Sequence, residues 1–284
     1  MQPADCPTNK ITDAGSFNRL KATRHGMMLY NRNDIYIGGS LEHYGEYSEE
    51  EVTVFRQVLR EGDTVIEVGS NIGAHTIPIA KMVGLSGSVM AIDPQRVVFQ
   101  TLCANVALNS LMNVFAFPVA MGAADGSTLI PRLNYDRPNN YGGLALGKYD
   151  KGERVQIMTV DGLNVSKCSM LKIDAEGMEL DVLRGARGTI ERFTPVMYVE
   201  NNDDQKGGEL IRYIAALGYR MYWHLPYLYS DDNFFRNPNN LFPGIFSGNM
   251  LCFHAKHQVN LDDAFEPVLG PEDDRHQANE RLAH

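Results

Sequence analysis

The stretch that most constrains the fold is residues 64–80, where an apolar run meets an acid, a glycine turn and a second apolar run. Residues 64–68 favour a β-strand with Glu67 near its end, and Gly69 and Gly73 follow, four positions apart. Residues 74–80 are suited to begin a helix. Strand, glycine turn and helix in this order predict the first half of a nucleotide-binding βα unit. A glycine at such a turn lets a ligand approach the backbone, because it has no Cβ.

The residues of the turn indicate the kind of ligand. A dinucleotide fingerprint has the pattern Gly-x-Gly-x-x-Gly, so that the helix N-terminus can hold a pyrophosphate. Here Ser70 and Asn71 leave only Gly-x-x-x-Gly, and the charge of Glu67 would repel a pyrophosphate. A carboxylate at this point suits a ligand with an ammonium or sulfonium group. The pattern therefore predicts the first motif of an S-adenosylmethionine-dependent methyltransferase, and the competing interpretation is a glycine turn in another α/β protein.

A second acid follows at the spacing expected for a nucleotide ligand. Residues 88–93 predict a buried strand that ends in Asp93, 24 positions after Gly69. In nucleotide-binding α/β folds, an acid about 20 residues beyond the glycine turn bonds the ribose hydroxyls. A third strand is predicted over residues 114–119, and in this fold class its exit at Ala120 and Met121 usually lies against the adenine ring. A core role for Met121 is at least as compatible with the sequence.

Four predicted strands end in acids, and this defines a candidate site. Further strands are predicted over residues 169–174, 195–200, 218–224 and 249–254. We expect a doubly wound, Rossmann-like α/β sheet that is mostly parallel, with an antiparallel last strand. Such sheets bind ligands at the carboxyl ends of their strands. The acids at those ends are Glu67, Asp93, Asp174 and Glu200.

The remaining segments predict attachments to this sheet. Residues 27–30 and 34–38 read as two strands of a small β cap, and Ser48 with Glu51 is a capping-box signature for the next helix. We expect an N-terminal segment and cap at 1–47, a cofactor-binding domain at 48–256 and an acidic, mobile tail at 257–284. Two long loops are also predicted. The loop at residues 123–168 is rich in glycine and asparagine, with Tyr141 as a candidate contact, and the loop at residues 225–247 is rich in aromatic residues.

Composition excludes some function classes. The 284 residues carry a formal net charge of -9, which argues against nucleic acid as the main partner. The four cysteines are scattered, without the spacing of a metal site. No apolar run approaches the roughly 18 residues of a membrane span, and no signal peptide is evident. The expected compartment is therefore the cytoplasm, and a homodimer is compatible with the sequence.

In these residues and in the stretches around them, the chain closely resembles the FkbM-type family of S-adenosylmethionine-dependent methyltransferases. The resemblance covers roughly residues 26–255, and the block Lys172-Ile173-Asp174-Ala175-Glu176-Gly177 is its most specific part. Ser70 and Asp93 depart mildly from the expected Ala and Glu, but both substitutions are compatible with cofactor binding. The matching stretches are residues 44–47, 68–76, 93–95, 104–109, 171–179, 198–201 and 239–242.

The resemblance implies a class I methyltransferase fold with S-adenosyl-L-methionine as cofactor and S-adenosyl-L-homocysteine as product. It implies methylation of a hydroxyl on a sugar, glycan or related small natural product; the alternative is N-methylation of a peptide side-chain amide. The cofactor contacts expected from the strand ends and from the matching stretches together are Glu46, Tyr47, Glu67, Gly69, Ser70, Asn71, Gly73, His75, Thr76, Asp93, Pro94, Gln95, Ala120, Met121 and Asp174.

A hydroxyl acceptor must lose its proton in or near the transition state, to a carboxylate or histidine within hydrogen-bond reach. Our hypothesis is that Asp174 is this base or orients the acceptor, with Glu176 and Glu200 beside it. His224 is the second candidate base, although a histidine bonded to a neighbouring loop is the commoner arrangement.

Besides N-methylation of a peptide amide, two alternatives remain open, and a third is weaker still. Asp174 with Glu200 and Asn201 resembles the oxygen set of divalent-metal-dependent O-methyltransferases, although no metal is expected here. A non-catalytic cofactor-binding partner of another enzyme is disfavoured by the intact acids. A nicotinamide dehydrogenase is disfavoured because the third glycine is missing.

Overall fold

The computed structural model describes residues 11–145, 147, 149–202, 206–257 and 265–282. The first ten residues, and the parts of the predicted tail at 258–264 and 283–284, lie outside the described residues.

The described residues form three sheets and a set of helices. The strands, numbered along the chain, are β1 (Thr12–Ala14), β2 (Asn18–Thr23), β3 (Gly26–Asn31), β4 (Thr64–Val68), β5 (Ser88–Ile92), β6 (Val114–Phe117), β7 (Ala120–Met121), β8 (Gly126–Ile130), β9 (Glu153–Met158), β10 (Met170–Ile173), β11 (Val196–Glu200), β12 (Tyr219–His224), β13 (Asn249–His254) and β14 (Glu266–Pro267). The α-helices are α1 (Ile37–His43), α2 (Glu49–Val58), α3 (Thr76–Val83), α4 (Arg96–Leu108), α5 (Glu179–Gly185), α6 (Arg187–Phe193), α7 (Gly207–Ala216) and α8 (Arg275–Leu282).

The main sheet has eight strands in the order β14-β12-β13-β11-β10-β4-β5-β6. The pairs among β11, β10, β4, β5 and β6 are parallel. β13 pairs antiparallel with both β11 and β12, and β14 pairs antiparallel with β12. The predicted Rossmann-like sheet, mostly parallel with an antiparallel last strand, is confirmed.

Strand alternation gives this sheet two apolar faces, each covered by helices. On one face, Val65 and Met170 pack with Phe55 of α2 and Ile79 of α3. On the other face, residues of β4, β10 and β11 pack with α5, α6 and α7. Each fully buried aliphatic side chain contributes about 1.5–3 kcal/mol to stability. The buried Glu67 and Lys172 lie near the carboxyl ends of β4 and β10, so these charged groups of the site rest on an apolar sheet.

The N-terminal cap is a three-stranded antiparallel sheet of β1, β2 and β3. The strand predicted over residues 27–30 is confirmed within β3. The strand predicted over 34–38 is wrong, because the chain turns there into α1. The carboxylate of Asp34 accepts the backbone N–H of Tyr36 (3.2 Å), a local bond that favours a turn over an extended strand.

Part of the segment predicted as a mobile tail instead packs on the main sheet. β14 extends the sheet beside β12, and Trp223 Nε1 donates to Asp273 Oδ2 at 3.1 Å. Burial opposes the ionised form of Asp273, but Arg281 and Trp223 outweigh it and hold the pKa of Asp273 below its ordinary value. The sequence signal was missed because β14 has only two residues.

Candidate functional site

The glycine turn brings two strand ends into contact. Gly69 has a φ of +81°, and a Cβ at this position would lie 1.7 Å from the carbonyl oxygen of Asp174. Gly73 has a φ of +90°, and its Cβ would lie 2.9 Å from Leu102. Gly69 is therefore required by a backbone contact within the protein and Gly73 by its positive φ, in addition to any approach of a ligand to the backbone.

Glu67 lies buried under this turn and is 1% exposed. One carboxylate oxygen accepts the hydroxyls of Thr76 (2.6 Å) and Ser70 (3.1 Å), whereas Oε1 has no hydrogen-bond partner among the described residues. Burial raises the pKa of Glu67, and the positive charge of Lys172, its register partner on β10, opposes that rise. The predicted group of Glu67, Ser70 and Thr76 is brought together.

Asp93 closes the other side of the turn. Its two carboxylate oxygens accept the backbone N–H groups of Asn71 (3.0 Å) and Gln95 (2.9 Å). Burial raises the pKa of Asp93 to about 7. These backbone donors fix the orientation of the carboxylate beside Gly69.

Two connected cavities lie above the carboxyl ends of the parallel strands. The main cleft, of about 240 Å³, is of the order of small-molecule sites. The side recess is more apolar and has about 40 Å³; Gly69, Asp93 and Asp174 line both cavities. Residues from the sequence prediction that line the main cleft are Tyr47, Glu67, Gly69, Ser70, Asn71, His75, Asp93, Asp174, Glu176 and Glu200, and those that line the side recess are Gly69, Asp93, Pro94, Gln95, Ala120, Met121, Asp174 and Glu176.

Four predicted site residues lie outside the lining of both cavities. Glu46 faces away and accepts from Arg24 Nε (2.6 Å) and from the backbone N–H of Phe234 (2.7 Å). Gly73 packs on Leu102, and Thr76 supports Glu67 from below. The fourth, His224, is buried behind Tyr198, with 2.7 Å between its Nδ1 and the phenol oxygen.

Three carboxylates converge after strands β10 and β11, in the part of the main cleft that we call its far end; two of them, Asp174 and Glu176, also line the side recess. Oxygens of Asp174, Glu176 and Glu200 lie within 4.8 Å of one another. Burial and the neighbouring negative charges raise the pKa of Glu176 to about 8 and that of Glu200 well above its ordinary value. Such a group can hold a shared proton, an ammonium group or a divalent cation.

Asn201 does not join this group. Its amide nitrogen points to the sulfur of Met250 at 3.6 Å, on the other side of the strand end. The oxygen set anticipated from Asp174, Glu200 and Asn201 is therefore not assembled, and Glu176 takes the third place.

Lys172 supplies positive charge under this end of the cleft and is 2% exposed. Its Nζ lies 3.4 Å from Asp174 Oδ2. Burial opposes the ionised form of Lys172, but the negative charges of Asp174, Glu67 and Glu51 outweigh burial and raise its pKa above the ordinary value. Lys172 is thus a fixed cation among the acids.

Sequence reasoning missed Glu51, Tyr198 and Asn249. Glu51 was interpreted only as part of a capping box. The backbone of Ser48 is in the left-handed region, and its hydroxyl donates to the Glu51 carboxylate at 2.8 Å instead of capping the helix. Glu51 lines the main cleft, and burial raises its pKa to about 7. Asn249 lines the cleft and pairs with Glu200 across the strands; within the part of the chain that the structure describes, its amide nitrogen has no hydrogen-bond partner.

The two predicted loops each contribute to the cleft, although not through Tyr141. The phenol of Tyr141 donates to the carbonyls of Asn134 (2.8 Å) and Arg137 (2.5 Å), so it anchors its own loop. Asn140 and its glycine neighbours line the main cleft instead. From the aromatic loop the lining residues are Leu228, Ile245, Phe246 and Ser247.

No helix among the described residues has both the length and the apolar character needed to cross a membrane.

Fold and site together define a Rossmann-like α/β protein with an acidic ligand cleft at the carboxyl ends of its parallel strands. Residues 67–221, more than half of the chain, match the family model described as the methyltransferase FkbM domain, and the chain belongs to this family of methyltransferases.

The chain is similar to several solved structures at low sequence identity. The FkbM methyltransferase from Methylobacillus flagellatus KT is 15% identical, with 72% of this chain and 50% of that chain covered and a TM-score of 0.47. This chain therefore spans about half of that protein. Fibrillarin from Aeropyrum pernix, in complex with S-adenosyl-L-methionine, is 11% identical over 86% of this chain and 97% of that chain, with a TM-score of 0.42. TYW2 from M. jannaschii, in complex with AdoMet, is 14% identical over 91% of this chain and 90% of that chain, with a TM-score of 0.43. No curated protein matches the chain significantly.

Proposed function

We propose that this chain transfers a methyl group from S-adenosyl-L-methionine to a hydroxyl of a sugar, glycan or related small natural product. The observation that carries the proposal is the junction of the two cavities at Gly69, Asp93 and Asp174. The side recess offers an apolar slot of the kind a flat ring requires. The main cleft offers carboxylates suited to a cationic ligand.

The cofactor would extend along this junction. The adenine ring would enter the side recess against Ala120 and Met121, and the ribose hydroxyls would donate to Asp93. The ammonium and sulfonium groups would lie in the main cleft, where Glu67 and its neighbours supply negative charge. The FkbM family match supports this arrangement, since it begins at Glu67 and includes the whole turn.

The acceptor would enter from the end of the main cleft formed by Asp174, Glu176 and Glu200. Methyl transfer is an in-line displacement: the S–CH₃ bond breaks with its electron pair left on sulfur, and the acceptor oxygen forms the new bond to carbon. Positioning supplies much of the catalysis in such a step. Asp174, held 3.4 Å from Lys172, would orient the acceptor hydroxyl or take its proton.

A second candidate is metal-assisted O-methylation, favoured by the convergence of three carboxylates within 4.8 Å. A divalent cation would be held by oxygens of Asp174, Glu176 and Glu200 and would bind the acceptor hydroxyl as a Lewis acid.

Methyl transfer from radiolabelled S-adenosylmethionine tests the proposed function directly. The wild-type protein is incubated with a panel of mono- and oligosaccharides and, in parallel, with peptides that carry asparagine and glutamine. We expect the labelled methyl group in the saccharides. Its linkage should be stable under conditions that hydrolyse methyl esters. Label found only in the peptide amides would contradict O-methylation and favour the N-methylation alternative.

A further inference from the structure

The far end of the main cleft contains a buried hydrogen-bond donor without a partner. Asn249 on β13 is 4% exposed and lines the cleft. Among the described residues, its amide nitrogen makes no hydrogen bond. A buried donor that is left unpaired lowers stability, so such a group in a folded protein requires an explanation. A hydrogen bond to an oxygen of a bound ligand would provide one.

The strand register places this amide beside one of the three carboxylates. Asn249 is directly opposite Glu200 on the neighbouring antiparallel strand β11. Directly opposite residues in an antiparallel pair extend from the same face of the sheet, with their Cβ atoms about 4.5–5.5 Å apart. The far end therefore offers an amide donor and a carboxyl group side by side.

Asn202 fixes the orientation of the Glu200 carboxyl group. The amide oxygen of Asn202 accepts the backbone N–H of Gly248 (2.8 Å) and Nη1 of Arg275 (2.6 Å). Because its oxygen already accepts these two donors, the amide turns its nitrogen the other way. That nitrogen donates to Oε1 of Glu200 at 2.5 Å. Oε1 is thus held by the protein, and Oε2 is the oxygen that a ligand can meet.

We infer that Glu200 and Asn249 form a subsite for a second hydroxyl group of the acceptor, next to the one that is methylated. The acceptor is therefore a vicinal diol, as found on a saccharide ring. The inference rests on the proposed methyl transfer and narrows its substrate class. Asp174 orients the reacting hydroxyl, and the neighbouring hydroxyl lies in the subsite. Asn202 is a positioning residue that acts through Glu200.

The chemistry of a hydroxyl group matches this subsite. A hydroxyl has one O–H donor and two acceptor lone pairs. It can accept from the amide nitrogen of Asn249 and also bond Oε2 of Glu200, whether that carboxyl group is ionised or protonated. Oxygens of Asp174 and Glu200 lie within 4.8 Å of each other, a gap that two adjacent ring hydroxyls can bridge with one hydrogen bond to each carboxyl group. An isolated hydroxyl would leave the amide of Asn249 unpaired.

The first arm of the test measures stability without any acceptor. Asn249→Leu is similar in volume and removes a donor that has no partner, so the melting temperature should stay the same or rise. Asn113→Leu is the matched control. Asn113 is also buried, but its amide nitrogen donates to the carbonyls of Ala80 (2.8 Å) and Gly84 (2.9 Å). The control should therefore lower the melting temperature by a few degrees.

The second arm measures specificity. The substrates are the panel saccharide that the wild type methylates and its deoxy derivatives, each lacking one hydroxyl next to the methylated position. Wild-type kcat/KM should be at least about tenfold lower for one of these derivatives, because it leaves the subsite unpaired. Asn249→Leu should reduce this discrimination at least about fivefold, and Asn113→Leu should preserve it. Asn249→Ala repeats the measurement with a side chain that fits any packing.

A double-mutant cycle tests the positioning role of Asn202. Asn202→Ala should lower kcat/KM for the saccharide at least about fivefold in the wild-type background, but less than about twofold in Glu200→Ala. The loss should depend on Glu200 because Asn202 acts through that carboxyl group. A purely structural role of Asn202 would give the same loss in both backgrounds.

Three results would overturn the subsite. The first is a melting temperature that falls as far in Asn249→Leu as in Asn113→Leu. The second is a wild type that methylates the saccharide and all its deoxy derivatives equally well, and the third is discrimination that is unchanged in both Asn249 variants. Each differs from failure of the proposed function, in which the wild type methylates no saccharide and the subsite fails with it.

Discussion

The two ends of the main cleft hold their carboxylates in different ways. At the turn, Asp93 is fixed by two backbone N–H groups and Glu67 by two hydroxyls. At the far end, Asp174, Glu176 and Glu200 face one another, with Lys172 as the nearby cation. Fixed donors orient an acid before a ligand arrives, whereas repelling acids favour a proton or a cation among them. We therefore propose that the turn serves binding and that the far end serves the chemistry.

The largest effect should come from Asp174→Asn. Loss of the charge at the far end should lower turnover at least about 100-fold, because the acceptor hydroxyl is no longer oriented by a carboxylate. Affinity for S-adenosylmethionine should remain within about threefold in a calorimetric titration. Near-normal turnover would remove Asp174 from the chemistry and break the division between the two ends.

The next largest effect concerns Gly69, where the backbone of the turn contacts the backbone of Asp174. Gly69→Ala places a Cβ against the carbonyl of Asp174 at a positive φ, and we expect it to lower the free energy of unfolding by at least about 2 kcal/mol. Chemical denaturation measures this loss. Gly126→Ala is the control, because its Cβ would meet nothing within 4 Å; equal stability of the two variants would contradict the contact.

The pH dependence of stability should reveal the repulsion among the three carboxylates at the far end. Burial and like charge raise the pKa of Glu176 from 4.5 to about 8 in the folded protein. The unfolded chain therefore releases this proton first, and the contribution of Glu176 to stability falls as the pH rises through that window. Glu176→Gln should raise the melting temperature more at pH 8 than at pH 5, by a few degrees.

The exposed Glu61→Gln is the control for this pH effect and should show no such difference. A melting temperature of Glu176→Gln that tracks the wild type at both pH values would show that the three carboxylates do not repel one another in the folded state.

The smallest effect is expected from chelation. We expect a chelator to change the turnover of the wild type by less than about twofold, since orientation by Asp174 does not require a metal. Loss of activity that is restored by added magnesium would overturn this expectation and favour the metal-assisted candidate.

The sequence was most informative where the site is local in the chain. Glu67, Gly69 and Asp93 lie within 27 residues that form one βα unit and the next strand, so their spacing alone indicates their proximity. The fold was predictable for the same reason, because each buried strand is a short apolar run.

The sequence was least informative where distant elements meet. Glu51 reaches the cleft because α2 packs on the sheet. Tyr198 meets His224 because of strand register, and neither fact is visible in local spacing. Glu176 replaces Asn201 in the acidic group because side chains at a strand end alternate between faces. The last strand β14 was missed because two residues carry no periodic signal.

The most direct test of the account is calorimetric titration of the purified protein with S-adenosylmethionine, beside Glu67→Ala, Asp93→Ala and the exposed control Glu61→Ala. The account predicts a Kd of about 1–100 μM for the wild type and the control, and weakening of at least about tenfold in both cleft variants. A wild-type protein that does not bind the cofactor, or binding that is unchanged in both cleft variants, would contradict the assignment of the turn as the cofactor site.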